Sequence, residues 1–442
     1  MADGVPRRDF LQLGAAAGLA ASLAPGAFGQ EKPRPVRLGV VGVGGRGTYL
    51  LGLALQAGVD VPALCDINPA AFARGAALVE KARDGKRPEG YTAGPKDYQR
   101  LLQRDDLDAV LIATPMQLHA AMAIDALRAG KHALSEVAAA VTLEDCWGLV
   151  RAVEDTGKLY MLAENVCYYR PLMAVLNMVR RGVFGGLTYA ECGYVHDCRS
   201  LAFQGDGSLT WRGELSRDYA GNVYPTHSLG PVAQWLGIQR GDRMVSLVAM
   251  ATQSKAIEDY AARRFPEGSP ARTVRFKLGD STNVLIRTAK GVLIDLRFDM
   301  FSPRPVPSTT YHHLQGLKAS FDTRHGIWVD GRSKGHAWEP ADAYDKEFGH
   351  EKWTRWGEEA SKSGHGGADF FVIREFLDAV RAPRAGEGAP RAGKWSGGPV
   401  PIDVYDAAAW SAIIPLSGKS VAEGGAPQEI PDFTRGKWET RA

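Results

Sequence analysis

The sequence predicts an α/β protein: an N-terminal doubly wound parallel sheet, then an α+β domain with a large, open, mostly antiparallel sheet. Two observations carry this prediction. Between residues 36 and 165, short apolar runs alternate with segments of helical spacing, which is typical of a parallel sheet. After residue 165, apolar runs follow one another in hairpin-like succession, which favours antiparallel pairing.

The bulk composition is that of a globular protein. The chain has 442 residues, of which 45% are hydrophobic and 23% charged, so disorder of the whole chain is excluded and two domains are expected. Its 53 basic and 50 acidic side chains give a formal net charge of +3. This balance argues against nucleic-acid binding and against an electrostatic membrane anchor, and it favours a small, neutral partner.

The first 29 residues have the pattern of an export signal. Arg7 and Arg8 precede an Ala/Gly/Leu run, and Ala27-Phe28-Gly29 forms a small-x-small cleavage site. The pattern resembles a twin-arginine signal; the run is too short and too rich in Ala and Gly for a stable membrane anchor. We therefore expect export in folded form by the twin-arginine machinery, to the periplasm or outside the cell.

A glycine loop follows the first apolar run. In "GVGGRG", Gly42, Gly44 and Gly47 fit the GxGxxG pattern of a dinucleotide-binding loop between a strand and a helix. Asp66 ends the next apolar run, about twenty residues on, where a carboxylate can accept hydrogen bonds from ribose hydroxyls. The sequence predicts a Rossmann domain over 30–165 that binds NAD. The carboxylate would repel the 2′-phosphate of NADP, whereas Arg46 could reach such a phosphate.

The rest of the first domain continues the alternation. "LDAVLIATP", "KHALSEV" and "LYMLAEN" are predicted strands, separated by helices over 118–129 and 142–156, the latter starting at a Thr142 cap. A ligand crevice is expected at the carboxyl ends of the strands. Those ends carry Asp66, Thr114 to His119, Glu136 and Asn165.

The second domain is predicted over 166–442. Its predicted strands are "LTYAECGYVHD", "MVSLVAMAT", "TNVLIRTAKGVLIDLRFDM" with a turn at Lys290-Gly291, "YHHLQGLKASFD" and "HGIWVDG". The polar connections over 197–222 and 330–368 are long enough to be functional or mobile. The closing "VYDAAAWSAIIPLSGKSVAEGG" is predicted as one helix with a tail, and Trp211, Trp235, Trp353 and Trp356 as core residues.

The five cysteines predict neither a metal centre nor a disulfide framework. They form no CxxC pair, and their odd number leaves at least one thiol unpaired. A bond between Cys192 and Cys198 stays open for an oxidising compartment. Free, buried thiols are the expected state, with Cys65 at a strand end.

Motifs spread over nearly the whole mature chain carry a family resemblance. They are "GVGGRG" with Asp66, "ATPMQLH", "SEV", "AENVCYY", "LNMVRRGVFGGLTYAECGYVHD", "NVYPTHSLGPVAQWLGIQRGDR", "GHGGADF" and "EIPDFTRGKW". The sequence resembles the Gfo/Idh/MocA oxidoreductase-fold superfamily and, more narrowly, glycoside hydrolase family 109. The resemblance implies NAD contacts from Arg46, Gly47, Asp66, Met116, Gln117, Leu118, His119, Glu136, Val137 and Asn165. It implies sugar contacts from Tyr194, Arg212, Tyr224, Pro225, Thr226 and His227.

Three positions depart from related patterns. Val137 stands where the dehydrogenases of the superfamily usually carry Lys, and Val223 where they carry an Asp four residues before the catalytic His. A dehydrogenase without this Lys and this Asp would lack its usual proton relay. The glycosidase branch lacks the same Lys and Asp. The glycosidase branch places a substrate-binding Tyr after an Arg-Pro pair, but in this sequence Arg304-Pro305 is followed by Val306. Tyr311 or His312 is the expected substitute for that Tyr.

The resemblance implies an NAD-dependent glycosidase, with N-acetylhexosaminides as one substrate class. Its reaction is transient oxidation at C3 of the sugar, deprotonation at C2, elimination of the aglycone, water addition and re-reduction. For a base at O3, His227 is the first choice, as a neutral imidazole. Tyr194 is a candidate C2 base if a nearby cation lowers its pKa. Tyr168, Tyr169 and Tyr224 are rivals for proton transfer, and Arg212 is a clamp for a hydroxyl or acyl oxygen.

Other interpretations stay open at this point. His227 also fits a structural position at a helix start, and Tyr194 also fits sheet packing; His196 and Asp197 fit a solvated pair, and His365 a hinge or a site. A sugar oxidoreductase is the alternative enzyme, and a homo-oligomer is compatible with an exposed sheet. Outside the cytoplasm a cycle that returns its own hydride needs no recycling partner, so we expect tightly bound, self-regenerating NAD.

Overall fold

Two β-sheets form the framework of the chain in the computed structural model, which describes residues 34–305, 309–382 and 400–441. The predicted export signal lies outside the described residues. The first sheet has six parallel strands in the order β3-β2-β1-β4-β5-β6. Their bounds are β1 Arg37–Val41, β2 Asp60–Cys65, β3 Glu89–Tyr91, β4 Ala109–Ile112, β5 His132–Ser135 and β6 Tyr160–Leu162.

Helices connect the parallel strands as the alternating pattern predicts. They are α1 Gly45–Gln56, α2 Pro69–Ala82, α3 Tyr98–Leu102, α4 His119–Arg128 and α5 Leu143–Thr156. Thr142 caps α5, because its side chain accepts a hydrogen bond from the backbone N–H of Asp145 at 3.1 Å. The parallel strands are buried on both faces: all four residues of β4 are buried. This arrangement aligns the carboxyl ends of β1, β2, β4 and β5 at one edge.

The second sheet has eight strands in the order β13-β12-β11-β7-β10-β9-β8-β14. Their bounds are β7 Leu187–Val195, β8 Met244–Ala251, β9 Ser281–Thr288, β10 Leu293–Asp299, β11 Thr310–Gly316, β12 Ala319–Asp322, β13 Gly326–Val329 and β14 Gln428–Glu429. Every pair is antiparallel except β7 with β10, which run parallel. Buried and exposed residues alternate along β9, so one face of the sheet is covered and the other faces outward. The predicted fold class is confirmed.

The helices of the second half pack around this sheet. They are α6 Arg170–Arg180, α7 Trp211–Asp218, α8 Thr226–Leu236, α9 Ala256–Arg264, α10 Asp345–Phe348, α11 Glu351–Ala360, α12 Ala368–Arg381, α13 Val404–Ser411 and α14 Ile413–Ala422. The single closing helix of the sequence prediction is wrong, since α13 and α14 are separate. Pro415 explains the break: it has no N–H to donate to the carbonyl of Ser411, but it fits the first turn of a new helix.

All five cysteines are free and buried, so Cys192 and Cys198 are not bonded to each other. Trp235 and Trp353 lie in the core, as predicted, whereas Trp211 is half-buried and lines the main crevice. Within the described ranges, no helix is both long and apolar enough to cross a membrane.

Candidate active site

The three loop glycines lie in different steric surroundings. Gly42 has φ +88°, and a Cβ there would lie 2.7 Å from the carbonyl oxygen of Ala113. A Cβ on Gly47 would lie 2.0 Å from the carbonyl oxygen of Gly42, so this glycine permits close packing of α1 on the loop. Above Gly44 a Cβ would meet nothing within 4 Å. The loop is thus tight on the protein side and open on the side where a pyrophosphate approaches its backbone.

Two further features fit a dinucleotide. Helix α1 begins directly after Gly44 with no side-chain cap and no acidic residue in its first turn, which leaves its N-terminus suited to an anion. Asp66 Oδ2 accepts a hydrogen bond from the backbone N–H of Val43 at 2.7 Å, so the carboxylate also fixes the loop. The residues present therefore fit NAD.

One crevice of about 710 Å³ extends from this loop to the second domain. It is lined by most of the predicted site residues, namely Gly42, Gly44, Arg46, Asp66, Leu118, His119, Glu136, Val137, Asn165, Tyr194, Arg212, Tyr224 and His227. Five predicted residues do not line it: Gly47, Met116, Gln117, Pro225 and Thr226. Burial explains why two of them do not reach the crevice: Met116 is 1% exposed and Thr226 is 0% exposed.

His119 is held on both sides of its ring. Its Nδ1 lies 2.8 Å from the carbonyl oxygen of Ala138 and its Nε2 lies 2.8 Å from that of Thr114. Burial lowers the pKa of His119 despite these two carbonyls. The imidazole thus braces the segments after β4 and β5 at the wall of the crevice.

Arg46 does not hold a free positive charge over the loop. Its Nε donates to Glu136 at 2.7 Å, and its Nη1 and Nη2 donate to the two oxygens of Asp369 at 3.0 and 2.7 Å. Burial opposes its charge, but Glu136 and Asp369 outweigh burial and raise the pKa of Arg46 above its usual value. The predicted reach of Arg46 to a 2′-phosphate is therefore not supported, because both carboxylates already bind it.

Asp369 was missed by the sequence argument, although it lies in the quoted motif "GHGGADF". The carboxylate is 0% exposed and also accepts from Asn165 Nδ2 at 2.9 Å and from His365 Nδ1 at 2.6 Å. Burial alone would raise the pKa of Asp369, but His365 and Arg46 lower it well below its usual range. Nothing local in the motif shows that α12 carries this carboxylate back to the glycine loop.

His365 stands on a turn of unusual backbone. Its φ is +51°, followed by +63° at Gly366 and +97° at Gly367. A left-handed non-glycine residue costs on the order of 1–3 kcal/mol and is found preferentially at functional sites. The side chain is 53% exposed and lines the crevice. With Nδ1 on Asp369, Nε2 is the ring nitrogen left for a ligand.

His227 is paired with a second residue that the sequence argument missed, Glu164. The imidazole Nδ1 lies 2.8 and 3.0 Å from the two oxygens of this carboxylate, which is 0% exposed. Burial alone would lower the pKa of His227, but the charge and hydrogen bond of Glu164 raise it. Glu164 thus strengthens His227 as a base. Only the position of Glu164, beside Asn165 at a predicted strand end, signalled a role.

Tyr194 and Tyr224 form the aromatic wall beside His227. Their rings stack with centroids 5.4 Å apart, and each packs edge-on against the imidazole. Burial raises the pKa of both phenols well above the usual value, and Arg212 offsets only part of this. The sequence prediction required a nearby cation to lower the pKa of Tyr194. In the protein alone, Arg212 does not lower that pKa enough to make Tyr194 basic. Of the rival tyrosines, Tyr168 and Tyr169 do not line the crevice.

Two arginines line the crevice within the described ranges; Arg46 is bound by carboxylates, whereas Arg212 has no carboxylate partner there. Its guanidinium lies over the ring of Trp211, 4.2 Å from the ring centroid. Both residues belong to the first turn of α7, which forms part of the long connection over 197–222. Arg212 is therefore available to a substrate oxygen.

Neither expected substitute for the tyrosine after Arg304-Pro305 lies in the crevice. Tyr311 pairs with Gly193 on the neighbouring strand, so it lies on the opposite face of the sheet from Tyr194. His312 is 1% exposed, its Nε2 lies 3.1 Å from the carbonyl oxygen of Ser228, and burial lowers its pKa to about 4. The expected substitution is wrong at both positions. Val306 itself lies outside the described residues.

The crevice also has a polar atom without a partner. Asn165 is 3% exposed, and its Oδ1 is buried with no hydrogen bond among the described residues. An amide N–H or a hydroxyl of a bound ligand would satisfy it. In the same part of the chain, no group of three or more His, Cys, Asp or Glu side chains is placed to hold a metal ion.

The glycine loop, Asp66 and the parallel sheet define the class of protein. Residues 36–164 match the family model described as "Oxidoreductase family, NAD-binding Rossmann fold". Solved structures of similar fold include a levoglucosan dehydrogenase in complex with NADH, with 18% identity, a TM-score of 0.63, and coverage of 90% of this chain and 100% of that one. An inositol dehydrogenase homolog from Azotobacter vinelandii has 17% identity, a TM-score of 0.61, and coverage of 90% and 98%. These likenesses concern the fold.

The chain belongs to glycosyl hydrolase family 109. Residues 168–440 match the model described as "Glycosyl hydrolase 109, C-terminal domain". A family 109 protein from Solibacter usitatus is 39% identical, with 99% of each chain covered. An alpha-N-acetylgalactosaminidase from Tannerella forsythia is 36% identical, with 98% of this chain and 97% of that protein covered. The protein is thus an NAD-dependent enzyme that acts on sugars.

Proposed function

We propose that this protein is an exported glycosidase that works through a tightly held, self-regenerating NAD and removes a terminal N-acetylhexosamine. One observation carries the proposal. A single crevice joins the glycine loop to Tyr194, Arg212, Tyr224, His227 and His365, without the Lys and Asp that the dehydrogenases of the superfamily use. When bound, NAD supplies a reversible hydride acceptor for a carbon of the sugar ring.

His227 has the role of the base at the sugar O3 hydroxyl. Glu164 holds Nδ1, which fixes the ring orientation and leaves Nε2 toward the crevice. Because Glu164 also stabilises the imidazolium, His227 can hold the hydroxyl proton until it is returned at the end of the cycle. Val137 and Val223 offer no competing proton acceptor beside it.

His365 has the role of the acid at the leaving oxygen. Elimination of the aglycone needs a proton at the glycosidic oxygen, and hydration needs a base for the incoming water. The half-exposed imidazole can exchange protons with solvent, while Asp369 holds Nδ1 and fixes the direction of Nε2. His365 and His227 thus serve different oxygens of one ring.

Arg212 and the name of one relative support the proposed substrate class. The guanidinium is suited to the acyl oxygen of an N-acetyl group or to a hydroxyl. The Tannerella forsythia relative is named an alpha-N-acetylgalactosaminidase. We therefore expect N-acetylgalactosaminides to be the first compounds to test.

The decisive assay uses nitrophenyl glycosides. Purified protein is incubated with both anomers of nitrophenyl N-acetylgalactosaminide, N-acetylglucosaminide, galactoside and glucoside in D₂O. Release of nitrophenol with deuterium at C2 supports the glycosidase. Interconversion of free sugars without phenol release would replace it by the alternative, a sugar oxidoreductase that exchanges hydride between two sugars. Sugar binding without C2 exchange would contradict both enzymes.

Two accompanying proposals have their own tests. Copurified NAD should be near one per chain, and active preparations free of NAD would contradict tight retention.

Replacing Arg7 and Arg8 by Lys should keep the protein in the cytoplasm with its signal uncleaved, as measured by fractionation and N-terminal mass. Unchanged export of this variant would exclude the twin-arginine route.

A further inference from the structure

Tyr194 lacks what a base at the C2 hydrogen requires. Its phenol is buried against Tyr224 and Phe298, and burial raises its pKa well above the usual value. A phenol in such a place removes a C–H proton only if its own proton has somewhere to go. The group that receives that proton has to touch the phenol oxygen.

His196 makes that contact. Its Nδ1 lies 3.1 Å from Tyr194 Oη, and its backbone N–H donates to the carbonyl oxygen of Asp299 at 2.8 Å, which fixes the residue just beyond β7. The side chain is half-buried rather than sealed in the core. His196 is therefore held at the phenol and can still exchange protons with water.

The groups around His196 keep its imidazole neutral, so that Nδ1 has a lone pair free to accept a hydrogen bond from the phenol. Burial lowers the pKa of His196. The charges of His227 and Arg304 lower it further, and only Asp197 raises it. Asp197 is bound bidentately by Arg199 at 2.9 and 2.7 Å. The other neighbour of Nδ1 is the Cys198 thiol at 3.2 Å.

Cys198 does not compete as the acceptor. Burial raises the pKa of its thiol to about 11, so it stays protonated near neutral pH. The protonated thiol is a weak donor that contacts both His196 Nδ1 and the Tyr194 phenol. Neutral His196 is thus the base in direct contact with Tyr194.

We propose that His196 is a positioning residue that takes the phenol proton of Tyr194 and so makes Tyr194 the base for C2; this rests on the proposed function. The Oη–H bond of Tyr194 breaks as an Nδ1–H bond forms on His196. The phenolate then takes the C2 proton, and its electron pair expels the aglycone, which leaves with a proton from His365. During hydration Tyr194 returns a proton to C2 and recovers its own from His196, so the cycle is balanced.

Two substitutions separate this relay from a structural role. His196→Asn keeps an acceptor oxygen near the place of Nδ1 but cannot take a proton, whereas His196→Ala leaves a gap that added imidazole can fill. With 4-nitrophenyl N-acetyl-α-galactosaminide in D₂O, both variants should lose about 100-fold in kcat and in C2 exchange, the range of general base catalysis. KM, copurified NAD and exchange of label at C3 should stay unchanged. Added imidazole should restore kcat and C2 exchange only in the His196→Ala variant.

The contrary outcomes are equally specific. If His196→Asn keeps the wild-type rate and pH profile, the contact is structural and the relay is overturned. If KM rises while kcat stays constant, His196 binds substrate and the relay is again overturned. His336→Asn, at an exposed histidine outside the crevice, is the handling control. A wild-type protein that releases no nitrophenol but exchanges C2 of free N-acetylgalactosamine would overturn the glycosidase while the His196 test stays in force.

Discussion

Two imidazole–carboxylate pairs lie in one crevice and differ in how the carboxylate is balanced. Glu164 receives hydrogen bonds from His227 and from the backbone N–H of Val166, with no cation from Lys or Arg among the described residues. Asp369 is bound by both terminal nitrogens of Arg46 and by Asn165, as well as by His365. The first carboxylate therefore has a single ionisable partner, and the second has two.

The difference assigns different work to the two histidines. Glu164 raises the proton affinity of His227 more than any other neighbouring group does. Asp369 is shared between Arg46 and His365, and it orients the His365 ring. The side chain of His227 is 18% exposed and that of His365 is 53% exposed, which suits an inner base and an outer acid. The comparison predicts four separable effects.

The largest effect is expected for His227→Asn. Loss of the base at O3 should reduce kcat by about 100- to 10,000-fold, the usual range for general base catalysis. NAD should still copurify, because the glycine loop and Asp66 are unchanged. Steady-state kinetics with an aryl glycoside and NAD content give the two measurements, with His336→Asn as the control. A variant with wild-type kcat would remove His227 from the chemistry.

Asp369→Asn tests the cluster around the second pair. The substitution leaves a buried guanidinium with only Glu136, so the free energy of unfolding should fall by about 3–5 kcal/mol. Because the pKa of Asp369 is lowered in the folded state, its contribution is present above the unfolded pKa of 3.8 and is lost as pH falls through the folded value. Urea unfolding near pH 7 measures the loss, with the exposed Asp330→Asn as the control. Equal stabilities would show that Arg46 and Asp369 are not coupled.

His365→Asn tests the acid at the leaving oxygen. Asn tolerates the left-handed backbone that this position requires, so the fold should persist. The rate should fall about 100-fold for alkyl glycosides, whose leaving groups need a proton, and little for nitrophenyl glycosides. A slope of rate against leaving-group pKa that is the same as in wild type would assign the acid to another residue.

The smallest effect is expected for Glu164→Gln. Loss of the charge should lower the pKa of His227, because Glu164 provides the strongest opposition to burial. The acidic limb of the kcat profile should move to lower pH, and kcat should fall by at most about tenfold for each pKa unit of lost basicity. The raised pKa also stabilises the fold below the unfolded pKa of 6.5, a contribution lost as pH rises through the folded value. An unmoved limb would mean that the kinetic base is another group.

Local patterns were enough to predict the first half of the fold and the cofactor loop. Alternation of apolar runs and helical spacing gave the parallel sheet, and the spacing of Gly42, Gly44 and Gly47 gave the loop, since both depend on residues close in sequence. The break between α13 and α14 was visible only as Pro415, whose effect depends on its position in the helix. The parallel pairing of β7 with β10 joins strands about a hundred residues apart, which no local pattern reports.

The sequence by itself determined the fold class, the NAD loop and which segments carry His227 and His365. Only the tertiary structure decided their partners: Glu164 lies 63 residues from His227, and Asp369 lies 323 residues from Arg46. It also decided that Tyr311 lies on the far face and that His196 contacts the Tyr194 phenol. The physical reason is that proton affinity depends on charges and burial within a few ångströms, and chain order does not encode those neighbours.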